Sequence, residues 1–99
     1  MAENYIPISS WAEDDKPREK MLSKGVATLS TNELLAILIR SGCGGESALD
    51  LSRRILLDLS NDLNTLARLS VLDFTNRYKG GGMAKAASIV AAMELGRRR

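Results

Sequence analysis

Three consecutive glycines, Gly80-Gly81-Gly82, separate Tyr78-Lys79 from Met83-Ala84-Lys85. Glycine costs backbone entropy inside a helix and offers no side chain to pack, so such a run ends one helix and turns the chain into the next. The second helix then opens with unpaired N–H groups and the positive end of its dipole behind them, which suits a phosphate. Lys79 and Lys85 add charge on either side, and the missing Cβ atoms let a nucleic-acid backbone come close. The candidate phosphate-binding residues are Lys79, Gly80, Gly81, Gly82, Ala84 and Lys85, extended by Arg97, Arg98 and Arg99 at the other end of the helix. For those three arginines, capping of helix carbonyls and relief of the dipole is the competing role.

The spacing Gly80-x-Gly82-x-x-x-Ala86, followed by Ile89, Val90 and Met93, resembles the helix-hairpin-helix motif of DNA-binding proteins. In that motif the alanine position lets the two helices pack tightly. The residue between the outer glycines is there a hydrophobic anchor, and here it is Gly81, which implies a looser hairpin. The simpler alternative is a helix corner whose glycines serve geometry alone.

The formal charge of +2 hides a gradient. Residues 1–50 carry five basic and eight acidic groups, whereas residues 77–99 carry six basic and one acidic. The positive excess therefore sits on the hairpin and its second helix. The chain has no histidine and one cysteine, Cys43. This removes an internal disulfide, the common zinc ligand sets and the Ser-His and Cys-His nucleophile pairs. No catalytic residue, metal or cofactor is expected, and Cys43 reads as a small apolar anchor. No apolar run approaches the roughly 20 residues that span a bilayer, and no signal peptide opens the chain. A cytoplasmic protein without a membrane partner is expected.

With 99 residues and only 4% aromatics, the core must be built from Leu, Ile, Val, Ala and Met, which favours packed helices. Residues 1–16 read as an irregular arm, with Trp11 docking it on the domain. Pro17 suits a first helical turn, in a short helix ending at Gly25. Ser30-Thr31-Asn32-Glu33 is a capping box, and the apolar run Leu34–Ile39 behind it should be the buried centre. Ser47 caps a helix with Ala48, Ser52, Ile55, Leu56 and Leu59 on one face. Asn61 opens a short helix carrying Leu63, Leu66 and Leu69.

The two glycine loops read as copies. Leu29-Ser30-x-x-Glu33-Leu34 is echoed by Leu69-Ser70-x-x-Asp73-Phe74, and Gly42-Cys43-Gly44-x-x-x-Ala48 by Gly80-Gly81-Gly82-x-x-x-Ala86. The expected fold is all-α: a small orthogonal bundle of about five helices, built as tandem helix-hairpin-helix-like units about a pseudo-twofold axis. Such pairs grip phosphates on both DNA strands, so affinity comes from the backbone and not from base identity. The first loop carries Cys43 and Glu46 instead of basic residues and is the poorer phosphate site.

The runs Trp11–Leu22, Leu29–Gly42, Tyr78–Ala87 and Glu94–Arg98 together resemble the N-terminal domain of the bacterial RadC family. That resemblance implies a helical domain, residues 17–99 with the arm 1–16, preceding a JAB/MPN-type domain with a zinc-metallopeptidase-like site. The sequence stops where the second domain would begin and is read as a fragment, so metal site and peptidase activity are not carried over. The resemblance further implies a DNA-repair setting. Two functions follow: a non-enzymatic module binding the DNA phosphate backbone, or a scaffold that positions the missing C-terminal JAB/MPN-like domain.

Overall fold

The computed structural model describes the backbone of residues 9–42, 45–78 and 82–99, and their side chains from Asp15 onward. It is all-helical, with six α-helices among these residues: α1 (Ser9–Lys24), α2 (Thr31–Ile39), α3 (Ala48–Asp58), α4 (Leu63–Arg68), α5 (Val71–Arg77) and α6 (Met83–Arg98). One 3-10 turn, Val26–Thr28, joins α1 to α2.

Capping chemistry sets most helix starts. The Ser30 hydroxyl accepts from the Glu33 N–H at 3.1 Å, and the Glu33 carboxylate accepts from the Ser30 N–H at 2.8 Å. Those backbone and side-chain hydrogen bonds, with Lys20 3.1 Å away, hold the Glu33 carboxyl below its ordinary range. Ser70 and Asp73 repeat the same box at the head of α5, with distances of 3.1 and 2.9 Å. The duplication read in the sequence is therefore present at both caps.

The copies diverge at their loops. Ala48 and Ala86 are both buried, as the small-residue positions require. Yet α3 begins at Ala48 under a Ser47 cap, whereas α6 begins earlier in its copy, at Met83, with Gly82 as N-cap at φ 82°. The first loop extends further because Gly45, opposite Met83 in the repeat, has φ 84° and cannot join a helix, while the Ser47 hydroxyl offers the Asp50 N–H a cap at 3.1 Å.

Two expectations shift. The helix expected from Pro17 starts at Ser9, so residues 9–16 are helical and not an irregular arm. An interior proline forfeits a hydrogen bond and costs about 3 kcal/mol, offset here because the Pro17 ring is fully buried. The expected docking of Trp11 lies outside the described side chains. At α4 the cap is Asp62, accepting from the Asn64 N–H at 3.0 Å, because Ser60 and Asn61 both turn through φ 56° and cannot open a helix.

The helix α2 lies centrally, against α1, α3 and α6. Leu35, Ala36 and Ile39 of α2 meet Leu51, Ile55 and Leu56 of α3 in the core, which Phe74 and Ile89 close from α5 and α6. Ser52 sits in the α2–α3 seam with no solvent exposure, donating to the carbonyl oxygens of Asn32 (3.1 Å) and Leu49 (3.0 Å). On α6, Ala86 and Ile89 are buried and Val90 and Met93 pack half-buried beside them, the face expected from the motif. Beneath the start of α6 an apolar void of about 20 Å³ remains among Ile39, Phe74, Tyr78, Gly82 and Ile89.

Candidate nucleic-acid interface

Of the residues expected to meet phosphate, Lys79, Gly80 and Gly81 lie outside the described residues, as does Cys43. The interface is therefore built from Gly82 and the first turns of α6. Gly82, Met83 and Ala84 are exposed, so the opening turn of this helix faces solvent. A Cβ built on Gly82 meets nothing within 4 Å.

Lys85 turns inward from this turn and caps another helix. Its ammonium donates to the Ile39 carbonyl at 3.3 Å and to the Ser41 hydroxyl at 3.0 Å, neutralising the carbonyl end of α2. Around it Arg18 of α1, Arg40 and Ser41 at the end of α2, and Ala84 and Ser88 of α6 line a cavity of about 350 Å³. Arg18 pairs with Asp15. Among the described residues neither Arg40 nor Lys85 has a carboxylate partner, so the cavity is positive.

Arg40 has φ 77°, a conformation that side chains rarely adopt. Its N–H still closes α2, bonding the Ala36 carbonyl at 2.9 Å. The sequence reading did not single out Arg18, Arg40, Ser41 or Ser88. One signal was available: in the repeat, Arg40-Ser41 precedes the first glycine loop as Tyr78-Lys79 precedes the second.

Arg97, Arg98 and Arg99 lie elsewhere. From Lys85 to Arg97 the helix rises about 18 Å at 1.5 Å per residue. Arg97 holds the Glu94 carboxylate through bonds of 3.0 and 2.6 Å and Arg98 adds a third of 2.8 Å, which together bring the Glu94 carboxyl down to about 2. Two of the three arginines are thus committed to one acid, and Arg99 alone has no ion pair among the described residues. The structure does not bring them to the cavity.

A second polar network ties Glu46 of the first glycine loop to Tyr78, ahead of the second. Arg54 grips Glu46 of the first loop through bonds of 3.1 and 3.0 Å, and its guanidinium lies 5.5 Å from the centre of the Tyr78 ring. The Tyr78 hydroxyl donates to Asp58 at 2.9 Å. Burial, then the Asp58 carboxylate, raises the Tyr78 phenol to about 12. Glu46 is therefore held by an arginine.

Among the described residues no group of three His, Cys, Asp or Glu side chains could hold a metal ion. None of their helices is long and apolar enough to cross a membrane.

Residues 8–87 match the family model described as UPF0758 N-terminal. A UPF0758 protein of Flavobacterium johnsoniae is 54% identical over 98 residues, covering 99% of this chain and 42% of the relative. UPF0758 proteins of Trichlorobacter lovleyi and Porphyromonas gingivalis are 47% and 45% identical, each over 93 residues, covering 92% and 94% of this chain and 40% and 41% of theirs. The chain thus spans less than half the length of these relatives, and no solved structure matches it. By the extent of the family match and the identity to these proteins, this chain belongs to the UPF0758 family.

Proposed function

We propose that this domain is a non-enzymatic module of a RadC-like cytoplasmic protein that binds DNA through its phosphate backbone, with a role in repair. The observation that carries this reading is the positive cavity in which Arg18, Arg40 and Lys85 meet beside the exposed opening turn of α6. Arg40 and Lys85, without a carboxylate partner among the described residues, and the unpaired N–H groups that open α6 attract phosphate whatever the base sequence. Lys79, Gly80 and Gly81 precede this turn in the sequence. The module would serve a JAB/MPN-like domain, the partner that the family resemblance implies.

Fluorescence anisotropy with a labelled duplex tests this. Each neutralised phosphate contributes about −0.9 to the slope of log affinity against log salt, so raising salt from about 50 to about 200 mM weakens binding roughly 3.5-fold for every phosphate engaged. Duplexes of unrelated sequence bind equally. Absence of binding at the lower salt rules the proposal out.

One observation favours a scaffold reading. An apolar groove of about 290 Å³ runs between α4 and the last turns of α6, lined by Leu63, Ala67, Ala92 and Met93. Self-association through that groove, unaffected by salt and without any DNA binding, would mark the module as a protein-interaction element.

A further inference from the structure

The positive cavity is a recess walled by three helices and open to solvent on one side. α1 contributes Arg18, the end of α2 contributes Arg40 and Ser41, and α6 contributes Ala84, Lys85 and Ser88. A recess of this kind holds one phosphate group with its attached sugar, not a run of successive phosphates. We infer that it receives the terminal 5′-phosphate of a DNA strand, a phosphate monoester, in preference to an internal diester. This inference rests on the DNA-backbone reading above.

Charge favours the monoester. Arg18 is balanced by Asp15, and among the described residues Arg40 and Lys85 have no carboxylate partner at the recess. A phosphate monoester carries about −1.5 to −2 near neutral pH, whereas each internal phosphate carries a single negative charge. The dianion matches the two cations.

Donor geometry points the same way. An ammonium has three N–H donors, and Lys85 spends two on the Ile39 carbonyl and the Ser41 hydroxyl. The third remains for a ligand. The Ser41 oxygen accepts from Lys85, and among the described residues its own proton has no acceptor. The Ser88 hydroxyl has no protein partner among the described residues, and Arg40 brings a planar fork suited to two phosphate oxygens. Three terminal oxygens can use this set more fully than the two of a diester. The positive φ of Arg40 fits the same role, since glycine would hold that helix end without strain but would leave the recess without its fork.

The test compares one blunt, labelled duplex with and without 5′-phosphates, titrated with this chain at a single salt concentration. The phosphorylated duplex should bind about tenfold more tightly, the effect of one added charge-assisted contact. Ser88→Glu and Arg40→Gln, each checked for fold by circular dichroism, should remove this difference. A deoxynucleoside 5′-monophosphate should bind more weakly than the phosphorylated end. Equal affinity for both duplexes overturns the inference while the backbone reading stands, and binding to neither defeats that reading. A preference that survives both substitutions puts the monoester outside the recess, and a free nucleotide binding as tightly as the DNA end removes DNA as the occupant. Either result overturns the inference.

Discussion

The Lys85 ammonium lies 3.0 Å from the Ser41 hydroxyl, so a residue just after the second glycine loop holds the residue just before the first. The opposite tie runs from Glu46, within the first loop, through Arg54 to Tyr78, just ahead of the second. The residues that flank the two loops are thus tied to one another. Of the two ties, the one between Lys85 and Ser41 also forms part of the wall of the positive recess.

Lys85→Met keeps most of the aliphatic stem but leaves the Ile39 carbonyl without its charged partner. A half-exposed hydrogen bond of this kind contributes about 1 kcal/mol, which corresponds to a fall of about 4–8 °C in Tm for a domain of this size. Lys85→Arg restores a donor and should recover most of the loss. Thermal denaturation followed by circular dichroism measures both, and an unchanged Tm in Lys85→Met would show that the contact contributes nothing.

Arg40→Gly should separate stability from binding. Glycine adopts φ 77° without the roughly 1–3 kcal/mol of strain that such conformations impose on other residues. Tm should therefore hold or rise while affinity for duplex DNA falls. A lower Tm with unchanged affinity would mean that the arginine serves the fold alone.

The helix caps were legible in the sequence because a cap is a local arrangement: Ser30 and Glu33, or Ser70 and Asp73, stand three residues apart and meet whenever the chain turns. The buried face of α3 was legible for the same reason, although Leu51, 2% exposed, was not picked out. Pro17 was misplaced because propensity favours proline at a helix start, and only tertiary burial of its ring lets it sit inside α1. Lys85 was read as a phosphate ligand from its neighbours alone. Its bonds to Ile39 and Ser41 cross 46 and 44 residues, a distance over which spacing carries no signal. Arg40 was invisible for a different reason, since nothing in a side chain's identity announces a positive φ.

Tyr78 gives the pH dependence. Its phenol is raised from 10.0 to about 12, so the folded protein holds the proton more tightly than the unfolded chain. The associated stability is complete below pH 10 and is lost as pH rises through about 12. Urea midpoints measured from pH 9 upward should fall across that window. Tyr78→Phe removes the bond to Asp58, should cost about 1 kcal/mol at neutral pH, and should flatten the alkaline decline. A decline of equal size in Tyr78→Phe would assign it to other groups.

Gly42 and Gly82 let the geometric and the phosphate-binding roles of the glycine loops be told apart. A Cβ on Gly42 would collide with the backbone carbonyl of Glu46, and that backbone leads directly into the Ser47 cap of α3. Gly42→Ala must therefore displace the main chain and should cost about 2 kcal/mol or more. A Cβ on Gly82 meets open space, so Gly82→Ala bears only the penalty of its φ of 82°, about 1 kcal/mol. Binding should follow the opposite order. Gly82→Ala puts a methyl group where a phosphate approaches the α6 amides, and should weaken DNA affinity at a temperature where the protein remains folded. Gly42→Ala, assayed under equally folded conditions, should bind nearly as well as the parent. If Gly82→Ala binds DNA undiminished, the turn beneath it is a corner of the fold and not a contact surface.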